Sequence, residues 1–193
     1  MKIELSVVLP VYNEEKRIVN GLDHFYSYLK KQKFPWEIIV VNDGSTDSTL
    51  KVVKNVAKAK RNIKIISYEK NRGKGYAICQ GVKNSVGEYI LFSDIDHSVP
   101  IQTIETFFNY FHKSLPVIIG SRRVSGAVIK KHQSFIRETL GRGFTSIVQL
   151  IIDPQIKDAT CGFKAFKKLQ AQATRQWLAI KYALQKNLVG FAY

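Results

Sequence analysis

Apolar positions along this chain switch repeatedly between two periods, and the switching predicts alternating strands and helices. Leu5–Val11 is a short, almost continuous apolar run, as expected of a parallel strand buried on both faces. Glu14–Lys33 then places Ile18, Leu22, Phe25 and Leu29 at helical spacing and reads as an amphipathic helix. Ile38–Val41 is a second strand, and the polar stretch Asn42–Asp47 turns the chain and caps a helix over Thr49–Ala59. The same logic gives a strand at Ile63–Ser67, a helix at Gly75–Ser85, a strand at Tyr89–Ser93, a helix at Pro100–His112 and a strand at Val117–Ile119. Such alternation predicts an α/β fold, a mostly parallel central sheet flanked by helices, with ligands at the carboxyl ends of its strands.

Beyond Gly120 the pattern changes. Ser121–Gln133 is loop-like and basic, Ser134–Ile152 and Gln170–Lys186 read as helical, and Thr160–Phe166 has a strand-like pattern. Gly190–Tyr193 resembles the start of a further element, so the fold is expected to be truncated at its C-terminus. At 193 residues the expectation is a single domain over 1–193, divided into halves at 120 and 121.

Charge sharpens that division. Residues 1–113 hold 17 Lys and Arg against 12 Asp and Glu, a net of +5, whereas residues 114–193 hold 13 against 3, a net of +10. The asymmetry points to a polyanionic partner: nucleic acid, an anionic membrane surface or phosphorylated ligands. For any single lysine a solvated surface remains the better reading. Cys79 and Cys161 are too few for a disulfide framework or a metal knuckle; each is expected to be a small buried hydrophobe in a reducing compartment. The N-terminus lacks the layout of a signal peptide, and the longest apolar cluster, around Ile147–Ile152, is too short to span a bilayer. A cytoplasmic protein is expected.

The chemistry-bearing residues collect at the predicted strand ends. Pro10-Val11-Tyr12-Asn13-Glu14 closes the first strand, Asn42-Asp43-Gly44-Ser45-Thr46-Asp47 the second, Asn71-Arg72-Gly73-Lys74-Gly75 the third and Asp94-Ile95-Asp96 the fourth. In an open parallel sheet these ends converge on one crevice. Carboxylates gathered there repel one another unless a cation or hydrogen-bond donors compensate. Mg²⁺ takes few carboxylates together with phosphate oxygens and water, which suits an Asp-x-Asp pair.

The ordered set resembles the family-2 glycosyltransferases of the GT-A (nucleotide-diphospho-sugar transferase) fold, and within them the polyprenyl-phosphate branch. Further resemblances are Gly120-Ser121-Arg122, Gln133-Ser134-Phe135-Ile136-Arg137 and Asp158-Ala159-Thr160-Cys161-Gly162-Phe163-Lys164, although Ala159 and Thr160 depart from the branch's Thr-Gln. Ser98 resembles the branch's glucosyltransferases rather than its mannose synthases. The resemblance implies that Pro10, Tyr12 and Glu14 line the base and ribose, that Asp43 bonds the base, and that Arg72 and Lys74 approach the donor phosphates or frame the uracil. It makes Asp94 a ribose- or sugar-contacting acid and metal neighbour, and Asp96 the principal ligand of Mg²⁺ or Mn²⁺. Arg122 and Arg137 become binders of the acceptor phosphate, and Asp158 joins the catalytic set.

The implied reaction is inverting transfer of a hexose from a nucleotide-sugar donor, UDP-glucose before GDP-mannose, to a polyprenyl or dolichyl phosphate. The implied place is the cytoplasmic face of a membrane, with residues 1–120 taking the donor and 121–193 the acceptor.

Each motif alone has a plainer reading. Asp43-Gly44-Ser45 is a turn with a helix cap, Asn71–Gly75 a glycine-rich turn, Asp94-Ile95-Asp96 surface decoration, His97 a solvated loop residue, and Arg122 and Arg123 ordinary surface charge. Their joint order favours function. A nucleic-acid-binding module would explain the charge of +15 but not four acidic strand-end motifs, so no nucleic acid is expected. A dehydrogenase should show Gly-x-Gly-x-x-Gly after the first strand, where Pro10–Glu14 stands. A homologue that binds donor without turnover is the remaining alternative.

Overall fold

A computed structural model of the chain describes residues 2–96, 99–112, 117–120, 143, 145–146, 149–151 and 161–168. The chain divides into two units, Met1–Ile101 and Gln102–Tyr193. In the first, strand β1 (Leu5–Val11) pairs in parallel with β2 (Trp36–Asp43) on one side and β4 (Tyr89–Phe92) on the other. β3 (Ile63–Tyr68) extends the parallel sheet beyond β2. With a parallel neighbour on each side, β1 leaves Val7, Val8 and Leu9 without exposed surface, and Ile38–Val41 of β2 are equally buried. Full burial of each such side chain is worth about 1.5–3 kcal/mol. The half-exposed β3 places Lys64 on its outer face, where the ammonium bonds the Asn84 carbonyl at 3.2 Å.

Helix α1 (Ile18–Leu29) buries Ile18, Leu22, Phe25 and Leu29, the stripe its spacing predicted. α2 (Thr49–Ala59) has the predicted bounds, and α3 (Lys74–Asn84) crosses β1 and β2. A Cβ on Gly81 of α3 would lie 2.2 Å from Val8 Cγ1, so only glycine allows that approach.

Two expectations need correction. α1 starts at Ile18 rather than Glu14, because Asn13 takes a left-handed conformation (φ 52°) and Glu14–Arg17 close a turn instead, the Arg17 N–H donating to Glu14 O at 2.9 Å. Cys79 is exposed, not buried. The buried residues of α3 are Ala77 and Gly81, and a side chain two residues from each points roughly 200° away from them. Cys161 is buried as expected.

In the second unit, α4 (Thr103–His112) buries Ile104, Phe107 and Phe111, and the Phe107 and Phe163 rings lie 5.1 Å apart. β5 (Val117–Ile119) pairs antiparallel with β6 (Lys164–Lys167), so the strands are mixed in sense though mostly parallel. β6 lies within the strand-like stretch from Thr160 but starts later. Gly143, Thr145, Ser146 and Gln149–Ile151 are helical, in keeping with the helix expected over 134–152. The predicted helix at 170–186 lies outside the described residues. Among the described residues no helix is long and apolar enough to cross a membrane.

Candidate functional site

The strand order of the first unit reverses at β1, which has β2 on one side and β4 on the other. Such a switch sends the following loops apart and leaves a crevice at the carboxyl edge. Pro10, Tyr12, Glu14, Asp43, Arg72, Lys74, Asp94 and Asp96 all belong to this unit, on β1 and β2 or beyond the carboxyl ends of its strands.

The loops after β1 and β2 are laced together. The Asn13 N–H donates to Ser45 Oγ at 3.0 Å, and Asn13 Oδ1 accepts the Thr46 N–H at 2.9 Å. The Glu14 N–H donates to Thr49 Oγ1 at 2.8 Å, the Glu15 N–H to Asp47 Oδ2 at 3.2 Å, and the Ser48 N–H to Glu15 Oε2 at 3.0 Å. These bonds satisfy backbone donors that a regular turn would leave to water. Burial pushes the Asp47 carboxyl up, but hydrogen bonds from Thr49 and from the Glu15 N–H outweigh it and hold the group below its ordinary value. Tyr12 stays 46% exposed, an aromatic face open to solvent. Glu14 receives both Nε and Nη2 of Arg17, at 2.7 and 2.8 Å.

Asp43 ends β2, buried to 3% exposure, and its Oδ1 accepts the Arg72 N–H at 2.9 Å. Its carbonyl accepts Asn71 Nδ2 at 3.1 Å. Gly44 makes this packing possible: its φ is +66°, and a Cβ there would lie 2.5 Å from the Asn71 nitrogen. Tyr68 sits in register with Asp43 across β2 and β3. Burial, followed by the neighbouring Asp43, pushes the Tyr68 phenol well above its usual range, so it stays protonated. The Arg72 guanidinium lies 4.9 Å from the Tyr76 ring centroid, its Nη1 donating to Tyr76 Oη at 3.2 Å.

After β4, Ile95 is buried to 3% exposure and anchors the acidic pair, with Asp94 half-buried and Asp96 exposed. The Lys74 ammonium contacts Asp94 Oδ1 at 2.5 Å. Among the described residues no three or more His, Cys, Asp or Glu form a group that could hold a metal ion. Asp94 and Asp96 are hard oxygen donors two residues apart on one loop anchored by buried Ile95, so they fit a Mg²⁺ or Mn²⁺ ion whose remaining ligands come from a diphosphate and water.

The structure thus joins Asp43 to Arg72 and Lys74 to Asp94, and turns Glu14 towards Arg17. Arg122, Arg137 and Asp158 lie outside the described residues, as do His97 and Ser98. The role of Asn13 as the tie between two loops was missed from the sequence, although Asn directly after a strand is a recognised carrier of left-handed backbone. Tyr76 was missed as well; its position four residues after Arg72 on a helix-opening segment is the signal.

The sequence matches the model of Glycosyl transferase family 2 over residues 6–171. A dolichyl-phosphate β-glucosyltransferase of Trichomonas vaginalis is 34% identical over 177 residues, 86% of this chain and 54% of that protein. A dolichyl-phosphate β-glucosyltransferase of Saccharomyces cerevisiae is 38% identical over 187 residues, 86% of this chain and 55% of that protein. The chain therefore spans a little over half the length of these relatives. Among solved structures, a mannosyltransferase from Pyrobaculum calidifontis in complex with GDP-Man and Mn²⁺ superposes with a TM-score of 0.67 at 16% identity, covering 100% of this chain and 55% of that one. That likeness places the fold in the GT-A class.

Proposed function

The chain belongs to glycosyl transferase family 2, and from that premise we propose that it carries the donor-binding part of an inverting, metal-dependent transferase moving glucose from UDP-glucose to a polyprenyl phosphate such as dolichyl phosphate. The observation that carries this reading is the delivery of two held acids, Asp43 fixed by the Arg72 backbone N–H and Asp94 in ion contact with Lys74, to the carboxyl edge of one parallel sheet. The names of the relatives supply the sugar and the acceptor class.

Asp43 is fixed by the Arg72 N–H through Oδ1, so its carboxylate is pre-oriented to accept a base N–H. Tyr12, just past the end of β1, offers an exposed aromatic face. Arg72 and Lys74 carry the positive charge that a diphosphate requires, and Asp94 and Asp96 would hold Mg²⁺ or Mn²⁺. Such an ion, when bound, neutralises the charge developing on the departing nucleoside diphosphate. An acceptor phosphate is anionic at neutral pH, so its oxygen attacks the anomeric carbon without a strong general base, and displacement turns an α-linked donor into a β-linked product. Catalysis then rests on in-line positioning and electrostatics.

Residues 1–120 take the donor and 121–193 the acceptor, with Arg122 and Arg137 holding the acceptor phosphate and Asp158 completing the catalytic set. The net charge of +10 over residues 114–193 suits a peripheral position on an anionic cytoplasmic leaflet. The test is calorimetric titration of the chain with UDP and GDP, each with Mn²⁺ and with chelator, followed by a UDP-glucose and GDP-mannose panel with dolichyl phosphate. Mn²⁺-dependent UDP binding and a β-glucosyl lipid phosphate are expected. UDP binding indifferent to the metal would overturn the reading.

A further inference from the structure

Two cations stand at the strand ends of the first unit, and they are held in different ways. Arg72 is occupied by its own loop: its N–H serves Asp43 and its guanidinium lies against Tyr76. Lys74, two residues on, opens α3 directly after Gly73, whose φ of +87° turns the chain there. Its ammonium contacts a carboxylate oxygen of Asp94, an acid assigned above to the divalent ion. The two side chains are 51% and 35% exposed, so the pair is screened and exchangeable rather than locked.

We propose that Lys74 is a positioning residue that makes metal binding wait for the nucleotide. The inference rests on the proposed reading of Asp94 and Asp96 as metal-binding acids. Without nucleotide, the ammonium occupies Asp94 and competes with a divalent cation for the same oxygens. A diphosphate offers the ammonium new oxygens, and its departure to them frees Asp94 for the ion. Diphosphate and metal therefore bind cooperatively, and each raises the affinity for the other by the same factor. A bare cation does not fill the site ahead of the donor.

The experiment measures dissociation constants by titration calorimetry of the whole chain for Mn²⁺ alone, UDP alone and UDP in saturating Mn²⁺. Lys74→Met should bind Mn²⁺ alone more tightly, by about three- to fivefold, the upper part of the range for an exposed ion pair. It should bind UDP in Mn²⁺ more weakly, so that the coupling factor between the two ligands shrinks. Opposite signs in one variant are what a merely structural role does not produce. Lys74→Arg keeps a cation at the contact and should retain most of the coupling. Arg72→Met removes an equal charge nearby without touching Asp94, and should leave the Mn²⁺-only constant within about twofold, against the shift expected from a lost ion pair. Unchanged far-ultraviolet circular dichroism confirms that each variant is folded.

An equal rise in Mn²⁺ affinity for Arg72→Met would reduce the effect to general electrostatics and overturn the proposal. An unchanged or weaker Mn²⁺-only constant for Lys74→Met would do the same. If wild-type chain still shows Mn²⁺-dependent UDP binding in that case, the site reading stands and the role of Lys74 alone fails. If wild type shows no such binding, the site reading fails and this inference with it.

Discussion

The β1 and β2 ends of the crevice contrast with the β3 and β4 ends. At the first, Asn13, Glu14 and Glu15 meet Ser45–Thr49 through directional hydrogen bonds, most of them from backbone N–H groups. At the second, the loops meet through the ion contact of Lys74 with Asp94, both partly exposed. Hydrogen bonds of the first kind hold a shape whether or not a ligand is present. An exposed ion contact exchanges readily when another charge arrives. One wall of the crevice is therefore preorganised, and the other answers to charge.

Several substitutions break or sharpen that contrast. The largest effect is expected from Asp96→Asn on the responsive wall. It should weaken Mn²⁺-dependent UDP binding by more than about 100-fold, since even outer-shell partners of a metal ligand cost about 10–100-fold. The melting temperature should stay put; an unchanged UDP constant would remove Asp96 from the site. Next comes Gly44→Ala, where the two walls meet. A left-handed φ of +66° and a Cβ 2.5 Å from the Asn71 nitrogen should lower unfolding free energy by about 1–3 kcal/mol in a urea titration. UDP binding should fall as well, because the Arg72 N–H shifts off Asp43.

Asn13→Ala tests the preorganised wall directly. It hands the exposed Thr46 N–H to water and puts Ala at a φ of 52°, which should cost about 1–2 kcal/mol of stability, while Mn²⁺ binding without nucleotide stays the same. The pH dependence of stability probes the same lattice. Asp47 titrates below its ordinary value of 3.8 in the folded chain, so its contribution is complete above that pH and fades as pH falls through the lower folded value. Asp47→Asn should flatten that acid limb in melts recorded between pH 2 and pH 5, a range of roughly a unit or more on either side of an ordinary carboxylate. Smallest is Arg17→Ala. Its guanidinium is largely exposed where it meets Glu14, so the loss should be under about 1 kcal/mol, read from the same urea titration.

Much of the architecture was legible because it depends on local periodicity. The bounds of β1, α2 and β5 and the buried stripe of α1 agree with the pattern of apolar residues. The misread start of α1 has a nonlocal cause: the N–H groups of Glu14 and Glu15 are taken by Thr49 and Asp47, more than thirty residues away. The exposure of Cys79 was misjudged because composition says how often a cysteine is buried, while the face of α3 decides the individual case.

The candidate site divides in the same way. Sequence order alone determined which acids and cations stand at the strand ends, because a parallel sheet must place its carboxyl ends on one edge. Partner choice was decided only in the tertiary structure: Arg72 goes to Asp43 through its backbone, Lys74 to Asp94 through its side chain, and Glu14 turns back to Arg17. Those choices depend on loop curvature set by Asn13, Gly44 and Gly73, all three at positive φ. Periodicity carries the direction of a strand; it does not carry the direction in which a loop side chain finds its charge.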